Sequence, residues 1–236
     1  MSAKKFRHEF KYVSPEHILL ELEQRVKSVL DLDRHTGPAG FYNIRSIYFD
    51  DIYNTCYLEN ENGTDPREKF RIRIYNRNSE RISLELKRKE RGKCLKSSTP
   101  LSLDFCKEIM EGKIPQVKDE YPFLVKKLIM QMQAFALRPV VIVEYDRIPF
   151  IWKEGNVRIT FDRNIRSGNI IEDFFSEELA ARPIMPLATN MIEVKFDEFL
   201  PDFINELLQT NRLEQTAFSK YYLCRKYSIL GAPHVF

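Results

Sequence analysis

A chain of 236 residues, 43% hydrophobic and 12% aromatic, is long enough to bury a substantial core and too apolar to be dominated by disorder. Lys+Arg 37 against Asp+Glu 34 leaves a net charge of +3, which excludes a bulk polycation of the histone kind and puts any affinity for anions down to how the charges are placed. The four cysteines, Cys56, Cys94, Cys106 and Cys224, form no CxxC pair, which excludes a zinc ribbon or disulfide scaffold and fits reduced thiols in the cytoplasm.

No internal repeat and no Pro/Gly/Ser linker divides the sequence, so one domain over residues 1–236 is expected. The longest purely aliphatic stretch runs from Val140 to Val143, far below the ~20 residues of a membrane span. The first ten residues lack the apolar region of a signal peptide, so a soluble cytoplasmic protein is expected.

In chain order, residues 5–13 alternate polar and apolar, as a half-buried strand does. Ser14, Pro15 and Glu16 then offer an N-cap, a proline at the first helical position and an acid in the first turn, predicting a helix to about Leu30. Runs at 41–50, 67–76 and 80–90 are rich in β-branched and aromatic residues at period two, the last two joined as a hairpin across Asn76–Ser79. Helical spacing returns at 101–112 and 120–136. Strands follow at 138–150, 156–163 and 188–197, then helices at 200–209 and 219–231, with Ser219 suited to cap the last and Gly231 to close it. The order predicts an α+β fold, mainly antiparallel with helices at the ends.

Residues at i and i+2 share a face of a strand, and strand after strand gathers charges on one face and large apolar residues on the other. Arg67, Lys69, Arg71 and Arg73 oppose Phe70, Ile72 and Ile74; Glu85, Lys87 and Lys89 oppose Leu84 and Leu86. The pattern repeats in Arg7, Glu9 and Lys11, in Arg158, Thr160 and Asp162, and in Glu193 and Lys195. Each strand alone fits a sheet with one solvated face. Closed into a barrel, the same faces turned inward would make a basic tunnel with carboxylates among the cations, suited to a polyphosphate and its divalent metal. Spacing alone leaves both orientations open.

Eight segments then carry a resemblance: FRHEFKY at 6–12, RSIYFDD at 45–51, FRIRIY at 70–75, LELKRK at 84–89, VEYDR at 143–147, VRITFD at 157–162, IEVKF at 192–196 and FSKYYLCR at 218–225. In this order they resemble the polyphosphate polymerase (VTC) domain of the triphosphate tunnel metalloenzyme superfamily. The resemblance implies an antiparallel eight-stranded β-barrel with helices at the ends and the charged faces inward. By matching motif it implies that Lys11, Arg71, Arg73, Lys87, Arg158 and Lys220, with Ser219, contact phosphates, and that Glu193 binds the metal. Glu9 and Glu85 are further expected as metal ligands, Lys69 and Lys195 as phosphate contacts, and Asp162 and Arg45 in the lining.

The activity implied by the resemblance is that of an ATP-dependent polyphosphate polymerase, which moves the γ-phosphate of ATP onto phosphate, pyrophosphate or a polyphosphate chain with Mn²⁺ or Mg²⁺. The alternatives are a metal-dependent hydrolase of triphosphate or organic triphosphates, and a non-catalytic module that binds polyphosphate or inositol phosphates. A membrane protein that receives the product is a further expected partner; nucleic acid is not, because the charged faces lack interleaved aromatics. The sequence departs from the family at Ala217 and near Asn60, where some members have a basic residue, and at Arg7, where the hydrolase branch has an acid. His8, His17, His35 and His234 are expected to have no part in the chemistry.

Overall fold

The computed structural model describes residues 6–209 and 213–230. In chain order its elements are β1 (His8–Pro15), α1 (Glu16–Lys27), β2 (Asp31–Leu32), β3 (Tyr42–Asp50), α2 (Thr55–Glu61), β4 (Arg67–Tyr75), β5 (Asn78–Glu90), β6 (Lys93–Leu101), α3 (Leu103–Met110), α4 (Phe123–Phe135), β7 (Arg138–Trp152), β8 (Val157–Gly168), β9 (Ala181–Pro183), β10 (Thr189–Phe196), α5 (Asp202–Leu208) and α6 (Lys220–Leu230). The eight long strands follow the order β1-β10-β8-β7-β3-β4-β5-β6, with β2 added to β7 and β9 to β8. Every pairing is antiparallel. The two ends of this path curl together where Arg7 and Cys94 exchange main-chain hydrogen bonds of 3.0 and 2.9 Å.

The expected strands are present, with differences that have local causes. The β4–β5 hairpin turns on Asn76 and Arg77 alone, both left-handed (φ 51° and 57°), as a two-residue type I′ turn requires. A second such turn, Arg91–Gly92 (φ 50° and 74°), leads into β6, which the sequence pattern does not reveal. β6 is polar and carries Pro100, a residue a sheet tolerates only near its edge. Nor does the pattern reveal α2, which is short and without apolar periodicity. It starts from left-handed Asn54, and the buried Asp50 carboxylate accepts the N–H groups of Cys56 and Tyr57 at 2.8 and 3.2 Å. Strand β8 runs past its expected end at residue 163 to Gly168, through a register shift against β7 beside left-handed Asn164 (φ 52°).

At the first helix, Ser14 does not cap. It remains in β1, and α1 starts at Glu16 and stops at Lys27, short of Leu30. Ser219 does cap α6, accepting the Tyr222 N–H at 3.3 Å; the expected Gly231 stop lies outside the described residues.

Apolar packing defines the inside and outside of the curled sheet. α1 and α5 bury Leu19, Leu22, Ile204 and Leu208 against Ile159, Phe161, Ile192 and Val194 of β8 and β10. α3 and α4 bury Phe105, Ile109, Leu128 and Ile129 against Ile72, Leu84, Ile47 and Phe49 of the central strands. These are the outer faces, so the alternate residues point inward. α6 packs on the inner face, with Tyr221 and Cys224 against Ile44, Tyr48, Val143, Ile165 and Met191. Helices thus cover the apolar outer faces of the central strands and of β8 and β10, and the opposite faces of these strands turn inward.

Candidate functional site

The inner wall brings together cations from strands far apart in sequence. On β4 and β5, Lys69 lies opposite Lys87 and Arg71 opposite Glu85; on β1 and β10, Glu9 lies opposite Lys195 and Lys11 opposite Glu193. Closure joins these two halves. Lys87 Nζ donates to both oxygens of Glu9 at 2.7 and 2.8 Å, and Lys11 Nζ stands 3.0 Å from Glu9 and 3.8 Å from Glu193.

Around this centre each carboxylate is gripped by bases. Glu85 accepts from Arg71 Nε and Nη2 at 2.8 and 2.5 Å and from Lys96 at 3.2 Å, with Arg73 3.8 Å away. Asp162 accepts from Arg147 at 2.6 and 2.7 Å and from Lys220 at 2.5 Å. Glu193 lies 2.5 Å from Lys195 and 3.6 Å from Arg147. Burial alone would raise all these acids. For Glu9 it is outweighed by Lys11, Lys87 and Lys195, which hold the carboxyl well below the usual range. Glu85 is held down by Arg71, Arg73 and Lys96, and Asp162 by Arg147 and Lys220. For Glu193, Lys195, Lys11 and Arg147 overcome both burial and the neighbouring Glu9.

Two cations are in the opposite condition. Among the described residues no carboxylate forms an ion pair with Lys69. Its amine donates to Asn60 Oδ1 at 2.8 Å, reaches Ser219 Oγ at 3.5 Å and lies 4.9 Å from the Tyr221 ring centre. Burial, followed by Lys87, Arg67 and Lys11, pushes it down to about 7. Lys195 falls to about 8 because burial, with Arg147 and Lys87, outweighs Glu193 and Glu9. Desolvated cations crowded by like charge are stabilised by an arriving anion.

Of the residues the sequence singled out, Lys11, Lys69, Arg71, Arg73, Lys87, Lys195 and Lys220 all face the tunnel. Arg158 does so at one margin, held by Asp33 at 2.8 Å and the Tyr42 hydroxyl at 2.8 Å. Arg45 does not. It points outward, fully buried, 2.5 Å from Glu144, and donates to the carbonyls of Phe174 and Ser176 at 2.9 and 2.5 Å. Its neighbour Ser46 takes the inward place and accepts from Arg73 Nε at 3.0 Å. His8 stacks on Phe196, centroids 4.9 Å apart, and His234 lies outside the described residues.

Arg147 is the main inward cation that sequence reasoning missed. It shares the inward face of β7 with Val141, Val143 and Tyr145, but the outward-facing Glu144 and Asp146 precede it, so charge on both faces hid the pattern. Asn60, near which the resemblance led to the expectation of a base, instead accepts a hydrogen bond from Lys69.

The three acids expected to ligate metal do not form one cluster, since Glu85 is taken up by Arg71 and Lys96. Among the described residues no group of three or more His, Cys, Asp or Glu side chains is arranged to hold an ion. Glu9 and Glu193 do come together around Lys11, both buried and ionised. Mg²⁺ and Mn²⁺ take hard oxygen ligands, and Mg²⁺ commonly uses one or two carboxylates with phosphate oxygens and water completing the shell. The pair therefore fits an ion that arrives bound to phosphate.

Among solved structures, the putative adenylyl cyclase HpAC1 from Hippeastrum, described with a dominant triphosphatase activity, is similar at 13% identity and a TM-score of 0.55, over 94% of this chain and 95% of that one. The PH1819 protein from Pyrococcus horikoshii OT3 is similar at 15% identity and a TM-score of 0.49, over 93% and 98%. No curated protein matches in sequence. Among the described residues no helix is long and apolar enough to cross a membrane. The curled antiparallel sheet, with helices outside and its cations and acids inside, has the triphosphate tunnel fold; the VTC domain family matches residues 6–229, and the chain belongs to that family.

Proposed function

We propose that the tunnel transfers the γ-phosphate of ATP onto phosphate, pyrophosphate or the end of a polyphosphate chain. The observation that carries this reading is the state of the inward carboxylates: Glu9, Glu85, Asp162 and Glu193 are all gripped by cations and held below the ordinary range. A good general base has a pKa near the operating pH; none of these four carboxylates qualifies, which leaves Lys69, at about 7, as the inward group nearest that range. Water as acceptor needs its proton taken; a phosphate oxygen is already ionised.

In the transfer, an acceptor phosphate oxygen attacks the γ-phosphorus while its bond to the β,γ-bridging oxygen breaks. ADP departs with the electron pair on its β-phosphate, and no proton has to move. Arg71, Arg73 and Lys87 offer charge to the equatorial oxygens of the transferring group, and the hydroxyls of Ser46 and Tyr48 fix Arg73 and Arg71 at 3.0 and 2.9 Å. Lys11, Lys220, Ser219 and Arg158 hold the flanking phosphates. Such positioning and charge neutralisation make up most of phosphoryl-transfer catalysis. Glu193 and Glu9 would hold Mn²⁺ or Mg²⁺, which supplies further positive charge beside the phosphoryl oxygens.

The test is to incubate the purified protein with ATP and Mn²⁺, with and without pyrophosphate, and to resolve ADP, free phosphate and polyphosphate over time. ADP with growing polymer is the expected result. Free phosphate without polymer would assign the tunnel to triphosphate hydrolysis, and tight polyphosphate binding without turnover would make it a binding module.

A further inference from the structure

At one margin of the tunnel two cations lie directly opposite each other, Lys195 on β10 and Arg158 on β8. Like charges so placed repel, and the structure separates them by giving each its own carboxylate. Lys195 turns along β10 to Glu193 at 2.5 Å. Arg158 turns away to Asp33 at 2.8 Å, a residue outside the barrel wall in the segment between β2 and β3.

The two partners of this second pair differ in freedom. Asp33 is pinned: its N–H donates to the Pro149 carbonyl at 2.9 Å, its Oδ1 accepts the His35 N–H at 3.0 Å, and its carbonyl accepts from Thr36 Oγ1 at 2.8 Å. Its side chain is 7% exposed, whereas that of Arg158 is 32% exposed and reaches its partners on a long flexible arm. If either moves, it is the arginine.

We propose, resting on the phosphate-binding reading above, that Asp33 is the counter-ion against which phosphate competes for Arg158, and so sets the affinity of this margin for polyphosphate. When Arg158 turns onto a phosphate, the pinned Asp33 carboxylate is left buried without its cation, and leaving a buried charge unpaired is costly. That cost is subtracted from binding. A monoanion gains too little from Arg158 to offset it, whereas the dense charge of a polyphosphate does.

Asp33→Asn removes the negative charge and keeps the carbonyl oxygen that accepts from His35. The experiment is calorimetric titration of the whole chain with inorganic tripolyphosphate, without metal, with thermal unfolding as a check on the fold. Asp33→Asn is expected to bind tripolyphosphate about fivefold more tightly, the scale of a partly exposed ion pair, and Asp33→Glu to stay near the wild type. In an Arg158→Gln background the same Asp33→Asn change should have no effect. An Asp33→Asn protein that binds equally or more weakly would overturn the proposal, as would tightening that persists without Arg158. Failure of the wild type to bind tripolyphosphate at all would overturn the phosphate-binding reading itself.

Discussion

Two arginine–glutamate pairs lie on opposite faces of the same sheet, each closed at 2.5 Å: the fully buried Arg45–Glu144 outside and the partly buried Arg71–Glu85 inside. Outside, Arg45 directs its Nη1 at the main chain of 173–176, clamping that segment to the barrel, and Arg166 completes the Glu144 carboxylate. Inside, Arg71 is joined to Tyr48 and stands before Arg73, in a wall of further cations. The chemistry of the pair is the same. What differs is whether the other donors meet fixed carbonyls or the cation-lined inner face, where the proposed ligand would bind.

Substitution separates the two roles. Arg71→Met should lower turnover by about 10²–10³, the range for losing one donor to a transition-state charge, while Arg73 and Lys96 still partner Glu85 and limit the damage to stability. Glu193→Gln should abolish metal-dependent turnover with the fold intact, measured as polymer formed against Mn²⁺ concentration; unchanged turnover would remove Glu193 from the site. Arg45→Met should act the other way. It leaves Glu144 partly uncompensated in a dry environment and should cost about 3 kcal/mol of stability, read from the urea midpoint, with turnover per folded molecule unchanged. A large loss of turnover in that folded variant would contradict the outward assignment.

The same pair explains how far the sequence could be read. Period-two alternation located the strands and gathered Arg71 with Arg73, and Glu9 with Lys11, onto common faces, because an apolar stripe opposite a charged one is a local property. Alternation cannot say which face is concave. That depends on where the helices pack, and the outer helices bury the apolar stripes; the resemblance to a barrel family supplied the choice. It failed where a charge lies on the outward face, as at Arg45 beside the inward Ser46, and where acids on the outward face precede an inward cation, as Glu144 and Asp146 do Arg147. Asp33 and Asn60 were beyond reach for another reason: they come from a connecting segment and a short helix, and only tertiary folding brings them to Arg158 and Lys69.

Acid should dissolve the inner wall before the outer apolar packing. Glu9, Glu85, Asp162 and Glu193 have folded values below their ordinary ones, so their contribution is fully present above about pH 4.5 and is lost as pH falls through the lowered values. The urea midpoint should fall steadily from about pH 5 to pH 3. A flat profile would mean that these ion pairs contribute no net stability.

The smallest effect expected is also the most specific to the tunnel. Lys69 at about 7 and Lys195 at about 8 are depressed in the folded protein, so around pH 8 much of their charge is missing, and the unfolded chain binds more protons. On their account stability should rise with pH from about 7 toward 10. A bound polyanion offsets the depression, which burial and then the crowding by Lys87, Arg67 and Arg147 produce, by placing negative charge beside the amines. Both lysines must then take up protons. Titration with tripolyphosphate at pH 8, in buffers of different ionisation enthalpy, should show uptake of roughly one proton or more per ligand, declining toward zero at pH 6, where both are already charged. Lys69→Gln should remove the larger share of that uptake, since Lys69 is the more fully deprotonated of the two at pH 8. Binding without proton uptake would place the anion away from both lysines, and would break the link between these two depressed cations and the ligand they are proposed to hold.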